Sequence, residues 1–301
     1  MKAVQFAEYG GPEVLKLVDV DEPHAGAGQV RIAVRAAGVN GLDSKIRSGF
    51  MKDQMSIPLP SGTGFDAAGI VDEIGDGVED VAVGDAVFGA GSATLAEYAV
   101  LANWAVKPDG LSFEEAAGFP VPVETSTRIL DLIGIQAGET LLVSGASGGV
   151  GSATVQIARD RGITVIGTAS EPNQDYLLSL GAIPTTYGDG LVERVRSLAP
   201  GGIDAALDLA GSGIIPELIE LTGDPSKVLS IADFSAPQYG AQVSSGGSNA
   251  GPAFAEAARL FSTGKLSIRV EKAFPLEAAA QAQTENAAGH AAGRIVVTVA
   301  P

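Results

Sequence analysis

The chain has 301 residues, and its 36 acidic against 19 basic residues give a formal net charge of −17 at pH 7. That length predicts about two domains of ordinary size. The chain contains no cysteine, which excludes disulfides and thiolate zinc sites, and two histidines, His24 and His290, are too few for a multi-histidine metal centre. A chain this negative repels phosphate backbones and anionic lipids, which argues against nucleic-acid and membrane partners.

No segment of the sequence has the pattern of a secretion signal or a membrane span. Glu8 interrupts the N-terminal stretch where a signal peptide needs an apolar run. No stretch reaches the roughly 18 uninterrupted apolar residues that a membrane helix requires. We therefore expect a soluble cytoplasmic protein.

The first 120 residues are predicted to be rich in β-strands. Short apolar runs occur at residues 30–35, 69–74, 85–88 and 97–101, and turns rich in glycine and aspartate separate them. A spacing of about 10 residues between strands is typical of a small barrel-like or partly open β unit.

Helical spacing begins near Ser112, which forms a capping box with Glu115 three residues later. From residue 140 onwards short apolar strands alternate with helices, which predicts a parallel sheet with right-handed crossovers. The predicted strands are 140–144, 164–168, 205–209 and 228–232, and the predicted helices are 113–117, 125–132, 150–160, 174–180, 191–198, 216–221 and 253–263.

The tail returns to β-type sequence, with strands predicted at 268–274 and 294–299 around a helix at 276–283. These strands could extend the parallel sheet or pair back with the N-terminal β unit. Periodicity alone leaves both arrangements open.

A glycine-rich turn joins the predicted strand 140–144 to the predicted helix 150–160. Its glycines are Gly145, Gly148, Gly149 and Gly151. Gly145 allows a tight turn, Gly148 and Gly149 let the backbone approach a diphosphate, and Gly151 lets the helix pack on the sheet. The helix N-terminus attracts phosphate. A purely structural turn is the competing interpretation, but the βα units downstream favour nucleotide binding.

The tip of the second predicted strand of the parallel sheet bears on the choice of nucleotide. An acidic residue there would bind the ribose 2′-hydroxyl of NAD, and its absence leaves room for a 2′-phosphate. The tip carries Ala169 and Ser170, followed by Glu171 before a proline. We favour NADP, because Ser170 can donate a hydrogen bond and Glu171 is expected in a solvent-facing turn. NAD remains the alternative.

One competing class of nucleotide-binding enzymes is excluded. Its members carry the glycine motif at the N-terminus and a catalytic Tyr-x-x-x-Lys sequence, whereas here the motif begins at Gly145. No tyrosine of this chain has a lysine four residues later.

The chain resembles the zinc-independent medium-chain dehydrogenases/reductases of the quinone oxidoreductase (zeta-crystallin-like) group. The resemblance covers nearly the whole chain, in the order of the family's motifs. The matching stretches are 38–43 with 46–49, 64–69, 83–87, 96–98, 116–120 with Thr125, 137–140 leading into the glycine turn, 180–182 and 290–296.

The resemblance implies an α/β fold class of two domains. One is a discontinuous GroES-like β-rich catalytic domain, residues 1–120 and 268–301. The other is a Rossmann domain with a doubly wound parallel sheet, residues 121–267. The family also implies NADPH as hydride donor, no zinc, a small-molecule substrate and a homodimer.

The family pattern also implies roles for particular residues. Asn40 and Thr125 match catalytic positions beside the nicotinamide. With the glycine turn, the predicted coenzyme residues are Gly145, Ser147, Gly148, Gly149, Val150, Gly151, Ser170, Tyr187, Ile231 and Arg294, of which Ser170 and Tyr187 match positions near the 2′-phosphate.

The sequence departs from the family pattern in two regions. Asn173 stands where many members have a lysine, which weakens the predicted NADP preference. Phe50 and Met51 occupy a region where many members have a tyrosine that can donate a proton. The predicted activity is metal-free hydride transfer from NADPH to a quinone or an α,β-unsaturated carbonyl. The alternatives are an NADPH-binding sensor with little catalysis and an NAD-linked alcohol dehydrogenase.

Several polar residues receive structural interpretations. Asp43 and Lys45 could lie in a substrate cleft, but an ion pair or a helix cap is favoured. Asp66 is interpreted as structural, and Asp208 as a residue that caps or solvates the end of a strand.

Overall fold

The computed structural model describes residues 1–244, 246–247, 250–289 and 291–300. Its strands are β1 (Lys2–Phe6), β2 (Lys16–Asp19), β3 (Val30–Gly38), β4 (Ser61–Gly62), β5 (Asp66–Ile74), β6 (Ala86–Gly91), β7 (Tyr98–Val106), β8 (Thr140–Ser144), β9 (Thr164–Thr168), β10 (Ile183–Thr185), β11 (Ala205–Asp208), β12 (Val228–Ser230), β13 (Gln242–Val243), β14 (Val270–Pro275) and β15 (Arg294–Thr298). Its helices are α1 (Gly41–Arg47), α2 (Phe113–Ala117), α3 (Pro120–Ile133), α4 (Gly149–Asp160), α5 (Gln174–Leu180), α6 (Leu191–Leu198), α7 (Ile215–Thr222), α8 (Gly251–Ser262) and α9 (Ala279–Ala287). Over these described ranges, none of the helices combines the length and apolarity needed to cross a membrane.

The first compact unit contains the described residues of 1–121, 250–264 and 268–300. Its larger sheet has the strand order β14-β15-β3-β5-β6-β7, and β3 also pairs with β7. Strands β3, β5, β6 and β7 therefore close on themselves as a small barrel. A second sheet has the order β2-β1-β4. The predicted barrel-like β unit is confirmed.

Strand β3 is central to this unit because both of its edges are paired. Val30, Ile32 and Val34 are buried, while the residues between them are only partly buried. This alternation is the period of two expected of a strand with one face on the core. On the other face, Arg31 donates to Asp72 on β5 (Nη2 to Oδ2, 2.9 Å). The β3–β5 pair thus has an apolar inner face and an ion pair outside.

The tail pairs back with the N-terminal β unit. Strand β15 runs antiparallel to β3, with Val297 opposite Ala37, and β14 runs parallel to β15. This is the arrangement that the family resemblance implied and that periodicity left open. The β unit is therefore discontinuous in sequence.

Helix α8 packs in the first unit against β7. Phe254 is buried with its ring centroid 6.1 Å from that of Phe88, and Phe261 lies 6.2 Å from Phe119. These aromatic contacts hold α8 on the β unit, whereas the predicted division counts its residues with the nucleotide-binding domain. The predicted boundaries otherwise stay a prediction.

The second compact unit contains the described residues of 122–247 and 265–267. Its sheet has the strand order β10-β9-β8-β11-β12-β13, and neighbouring strands are parallel. The chain builds outward from β8 to β10 and then returns to β11 on the other side of β8. Ligands bind in such sheets outside the carboxyl ends of the strands at this point of reversal. The predicted Rossmann-type parallel sheet is confirmed.

Most predicted elements of the second unit agree with the structure to within about two residues. Helix α5 matches the predicted helix 174–180, and it ends at Gly181, whose φ of 83° favours glycine. The capping box of Ser112 and Glu115 is also present. Helix α1 and strand β1 were not predicted, because their short sequences lack a clear apolar period.

Candidate functional site

The glycine turn of the second unit connects the carboxyl end of β8 to the start of α4. Gly145 has a φ of 77°, in the left-handed region that favours glycine, and its N–H donates to Thr168 Oγ1 at the end of β9 (3.2 Å). Gly148 donates its N–H to the Gly145 carbonyl (3.2 Å) and is the N-cap of α4. The turn is thus fixed by its own backbone and by the neighbouring strand.

The first turn of α4 packs directly on this backbone. A Cβ added to Gly151 would lie 2.2 Å from the Gly145 carbonyl oxygen, too close for any side chain. Ser147, Gly148, Gly149 and Val150 are partly exposed, so the backbone at the head of the 12-residue helix is accessible. N–H groups and the helix dipole at such a position attract phosphate. The segment therefore fits a diphosphate.

Ser170 follows β9 and is partly buried. Its hydroxyl oxygen accepts a hydrogen bond from Asn173 Nδ2 (3.1 Å), which leaves the hydroxyl hydrogen for another acceptor. Glu171 is exposed, as the sequence predicted. The tip of β9 therefore presents the Ser170 hydroxyl as a neutral donor. The amide of Asn173 lies where many family members have a lysine.

Arg194 on α6 fixes the loop that carries Tyr187. Its Nη1 donates to the Asp189 carbonyl (2.7 Å) and its Nη2 to the Thr186 carbonyl (2.9 Å), while the Tyr187 side chain is 59% exposed. Sequence reasoning missed Arg194, because an arginine on a polar helix face is ordinarily solvated. Arg194 therefore fixes the backbone that carries the exposed Tyr187 ring.

Ile231 directly follows β12 and belongs to the same unit as the glycine turn. Its N–H donates to the carbonyl of Asp208, the last residue of β11 (3.1 Å). Ile231 therefore lies at the carboxyl edge of the sheet, where the glycine turn also lies.

Thr125 is buried on α3, beside a charged pair that the sequence did not indicate. Its hydroxyl lies 3.5 Å from Glu124 Oε2, and Glu124 accepts a hydrogen bond from Arg128 Nε (2.7 Å). Arg128 also donates to Ser244 Oγ. This pair joins α3 to the residue that follows β13.

Asn40 and Arg294 lie together in the first unit, in what we call the buried polar cluster, formed by Asn40, Asp43, Asp66 and Arg294. Arg294 donates to Asp66 Oδ2 (2.7 Å) and to Asn40 Oδ1 (3.0 Å). Asn40 Nδ2 donates to Asp66 Oδ2 (3.0 Å), and the Asn40 N–H donates to Asp43 Oδ2 (2.8 Å). Both ends of the Asn40 amide are therefore held, and one side-chain N–H of the amide remains for another acceptor.

The structure separates the predicted site residues by unit. Asn40 and Arg294 belong to the first unit, and the remaining predicted coenzyme residues and Thr125 belong to the second. The Arg294 side chain is only 5% exposed and is paired with Asp66. Its predicted contact with coenzyme stays a prediction.

The electrostatics of the buried polar cluster follow from its burial. The pKa of Asp43 is raised to about 7. Burial is the main cause, and the hydrogen bond from the Asn40 N–H opposes it; the nearby charge of Asp66 also raises the pKa, while those of Arg294 and Arg47 lower it. Burial also raises the pKa of Asp66 to about 6, opposed by the positive charge of Arg294. Burial lowers the pKa of Arg294, opposed by Asp66 and Asp43. Burial thus outweighs the nearby positive charges, which favours a proton on Asp43 as the pH falls below about 7.

Two family models match the chain. One describes the alcohol dehydrogenase GroES-like domain and matches residues 26–110, and the other describes a zinc-binding dehydrogenase and matches residues 181–297. The chain is 31% identical to the NADPH-dependent alkenal/one oxidoreductase, chloroplastic, of Arabidopsis thaliana, over 100% of this chain and 80% of that protein.

The chain belongs to the medium-chain dehydrogenases/reductases, in the quinone oxidoreductase group.

Other members of the family agree with this assignment. The chain is 43% identical to the quinone oxidoreductase of Rattus norvegicus over 60% of this chain, and the match spans 57% of that enzyme's length. The structure of the quinone oxidoreductase from Coxiella burnetii superposes with a TM-score of 0.85 at 30% identity, over 100% of this chain and 99% of that one. An NAD-dependent alcohol dehydrogenase superposes with a TM-score of 0.87 at 31% identity, over the whole of both chains.

The side chains that the structure describes do not form a site for a zinc ion. The sequence has no cysteine. His24 is exposed and lies 3.1 Å from Glu73 Oε2, and His290 lies outside the described residues. Within the described residues, no three or more His, Cys, Asp and Glu side chains are grouped so that they could hold a metal ion. In the buried polar cluster, the guanidinium of Arg294 supplies the positive charge that faces Asp66 and Asn40.

We expect Gly151→Ala to lower the free energy of unfolding by on the order of 2 kcal/mol, because the added Cβ would collide with the Gly145 backbone. Gly148→Ala is the matched control, since its Cβ would meet nothing nearer than 3.6 Å and its φ is −73°. Urea unfolding of both variants tests this. Equal stability of the two variants would contradict the packing of α4 on the turn.

We expect Asp43→Asn to change how stability depends on pH. A carboxyl whose pKa is raised in the folded state contributes stability that is complete below its ordinary pKa of 3.8 and is lost as the pH rises through about 7. Asparagine resembles the protonated acid and does not titrate. The free energy of unfolding of the variant should therefore rise relative to that of the parent by on the order of 4 kcal/mol between about pH 4 and pH 8.

Thermal unfolding across this pH range measures the free energy of unfolding of the variant and of the parent. In the difference between the two, the contributions of carboxyls that do not interact with Asp43 cancel. Asp53→Asn, at an exposed position, is the control and should show no such gain. A constant difference between Asp43→Asn and the parent at every pH would show that Asp43 is ionised throughout.

Proposed function

We propose that this protein is an NADPH-dependent oxidoreductase that transfers a hydride to a quinone or an α,β-unsaturated carbonyl. The observation that carries the proposal is the glycine turn from Gly145 to Gly151 at the point where the strand order of the parallel sheet reverses. The turn combines close backbone packing, accessible N–H groups and a helix N-terminus. These features suit a coenzyme diphosphate in a chain whose net charge is −17.

The residues of the second unit would hold the coenzyme along the carboxyl edge of the sheet. The turn of Gly148, Gly149 and Val150 would bind the diphosphate, and Ser170 and Tyr187 would bind the adenosine end. Bound NADPH supplies the hydride that reduces the acceptor. The protein contributes binding and orientation, which together account for much of the rate of such a transfer.

The preference for NADPH over NADH rests on the tip of β9. Ser170 keeps a hydroxyl hydrogen to donate, and Glu171, the acid that would favour NAD, is exposed. The Arabidopsis relative is named as NADPH-dependent, which supports the same choice. Asn173 limits the preference, because an amide cannot supply the charge of the usual lysine.

The substrate class follows from the donors that the chain offers. Without a metal, hydrogen bonds must stabilise the negative charge that develops on the acceptor oxygen. Conjugated acceptors spread that charge, so they need less stabilisation than simple carbonyls. We assign this role to the side-chain N–H of Asn40 that is not bound to Asp66. Thr125 is the second polar residue that we assign to it. We propose metal-independent activity because the donor set does not suit zinc.

The oligomeric state, the location in the cell and the partners of the protein are also part of the proposal. We propose a cytoplasmic homodimer with a small-molecule substrate and no nucleic-acid or membrane partner. The support is the family resemblance for the dimer and the negative charge for the excluded partners. Sedimentation equilibrium would distinguish a dimer from a monomer.

The deciding experiment is consumption of NADPH and NADH with a panel of quinones, enones and simple ketones. We expect turnover of conjugated acceptors with NADPH, and the activity should survive a chelator such as EDTA. Tight NADPH binding without turnover of any acceptor would instead indicate a coenzyme sensor. Oxidation of simple alcohols with NAD would indicate an alcohol dehydrogenase.

We expect Ser170→Ala to weaken binding of NADPH about tenfold more than binding of NADH. This is the order of effect for loss of a hydrogen bond to a charged group. Asn173→Lys should have the opposite effect, because it adds a positive charge beside Ser170. Fluorescence titration with both coenzymes measures each ratio. Ser179→Ala, on the exposed face of α5, is the control. Equal weakening of both coenzymes by Ser170→Ala would refute the assigned role.

A further inference from the structure

Asp208 is an acid with no exposure to solvent at the carboxyl end of β11. Its Oδ1 accepts hydrogen bonds from the N–H groups of Ala210 (3.2 Å) and Gly211 (2.9 Å), and its Oδ2 accepts one from Ser230 Oγ (2.8 Å). A buried carboxylate is tolerated only when it is hydrogen-bonded in this way. Because both oxygens are already engaged, Asp208 acts on the backbone around it.

Ser230 ends β12 and lies beside Asp208 in the sheet. Besides donating to Asp208, its hydroxyl oxygen accepts from the N–H groups of Ala232 (3.0 Å) and Asp233 (2.8 Å). The Ile231 N–H is bound to the Asp208 carbonyl (3.1 Å). The Asp208–Ser230 pair therefore fixes the backbone that follows two adjacent strands.

The segment after β11 lies next to the glycine turn, and the segment after β12 lies next to the segment after β11. A Cβ added to Gly145 would lie 3.2 Å from Ala210 Cβ, and one added to Gly211 would lie 3.0 Å from Ala232 Cβ. The three backbone segments after β8, β11 and β12 are thus in contact along one edge of the sheet. The pair holds two of the three in place.

The strand order tells which half of a dinucleotide would lie over these segments. Ser170, at the adenosine end, follows β9 on one side of β8, whereas Asp208 and Ser230 end β11 and β12 on the other side. A dinucleotide whose diphosphate lies at the head of α4 extends in both directions across the point of reversal. Its second half, the nicotinamide mononucleotide, therefore extends over β11 and β12.

We propose that Asp208 and Ser230 are positioning residues for the nicotinamide half of the coenzyme. They hold the backbone of 209–211 and 231–233 in the shape that receives this half, and they make no contact with it themselves. The inference rests on the proposed function. It predicts that loss of the Asp208–Ser230 pair weakens binding of the nicotinamide half of NADPH and leaves binding of the adenosine half nearly unchanged.

The test is Ser230→Ala, with NADPH and 2′,5′-ADP as probes of the whole coenzyme and its adenosine half. Calorimetry should show NADPH weakened about tenfold and 2′,5′-ADP changed less than twofold, the first being the order for a lost hydrogen bond to a charged group. Fluorescence of the bound reduced nicotinamide should fall toward its value in water. Equal weakening of both probes, or no change in either, would overturn the inference.

Asp208→Asn provides a second variant if Ser230→Ala does not fold, because it keeps the shape while removing the carboxylate. We expect the same selective loss, and the double variant should be no worse than Ser230→Ala alone, since the two residues act as one unit. Thr222→Val is the matched control, because it deletes a hydroxyl bound to the Leu218 carbonyl (3.0 Å) at the end of α7 that leads into β12. The same selective loss in Thr222→Val would also overturn the inference.

The outcomes distinguish this inference from the proposed function. If the parent protein binds neither NADPH nor 2′,5′-ADP, the proposed function and the inference fail together. If the parent binds both and the variants show no selective loss, only the role of Asp208 and Ser230 fails.

Discussion

The close approach of α4 to the turn that precedes it is the constraint on which the second unit depends. The position of Gly151 brings the first turn of the helix against the carbonyl of Gly145, with no room for a side chain between them. The N-terminus of α4 is therefore held at the carboxyl edge of the sheet rather than above its face. Strand β11 ends beside the same turn, and β12 ends beside β11, so the candidate coenzyme site lies along one edge of the sheet.

Much of the second unit could be predicted from sequence because its signals are local. A strand, a glycine turn and a helix occupy adjacent positions in the chain, and Gly181 marks the end of α5 by itself. In the first unit, the capping box of Ser112 and Glu115 is a local signal of the same kind, because it needs a separation of only three residues. The parallel order followed from alternation of strands and helices, since parallel strands require a crossover between them.

The buried polar cluster of the first unit could not be predicted in the same way. Asp66 lies 26 residues from Asn40, and Arg294 lies 254 residues from it. No periodicity links such positions, and each residue alone has an ordinary interpretation. Arg294 was assigned to the coenzyme from the family pattern, but burial and the ion pair with Asp66 are properties of the folded chain. The same limit applies to Asp208, which sequence reasoning treated as a strand end.

The return of the tail to β3 has a consequence for the order of synthesis. When β3 leaves the ribosome, the strand that completes its edge at residues 36–38 is still unmade, and so is the cation that the buried carboxyls require. The whole second unit, which ends at residue 267, emerges before that strand does. Contacts so distant in sequence form slowly, and an unpaired strand edge invites association with other chains. The nascent protein therefore passes through an interval in which its parallel sheet can assemble while the edge of β3 at residues 36–38 is still unpaired.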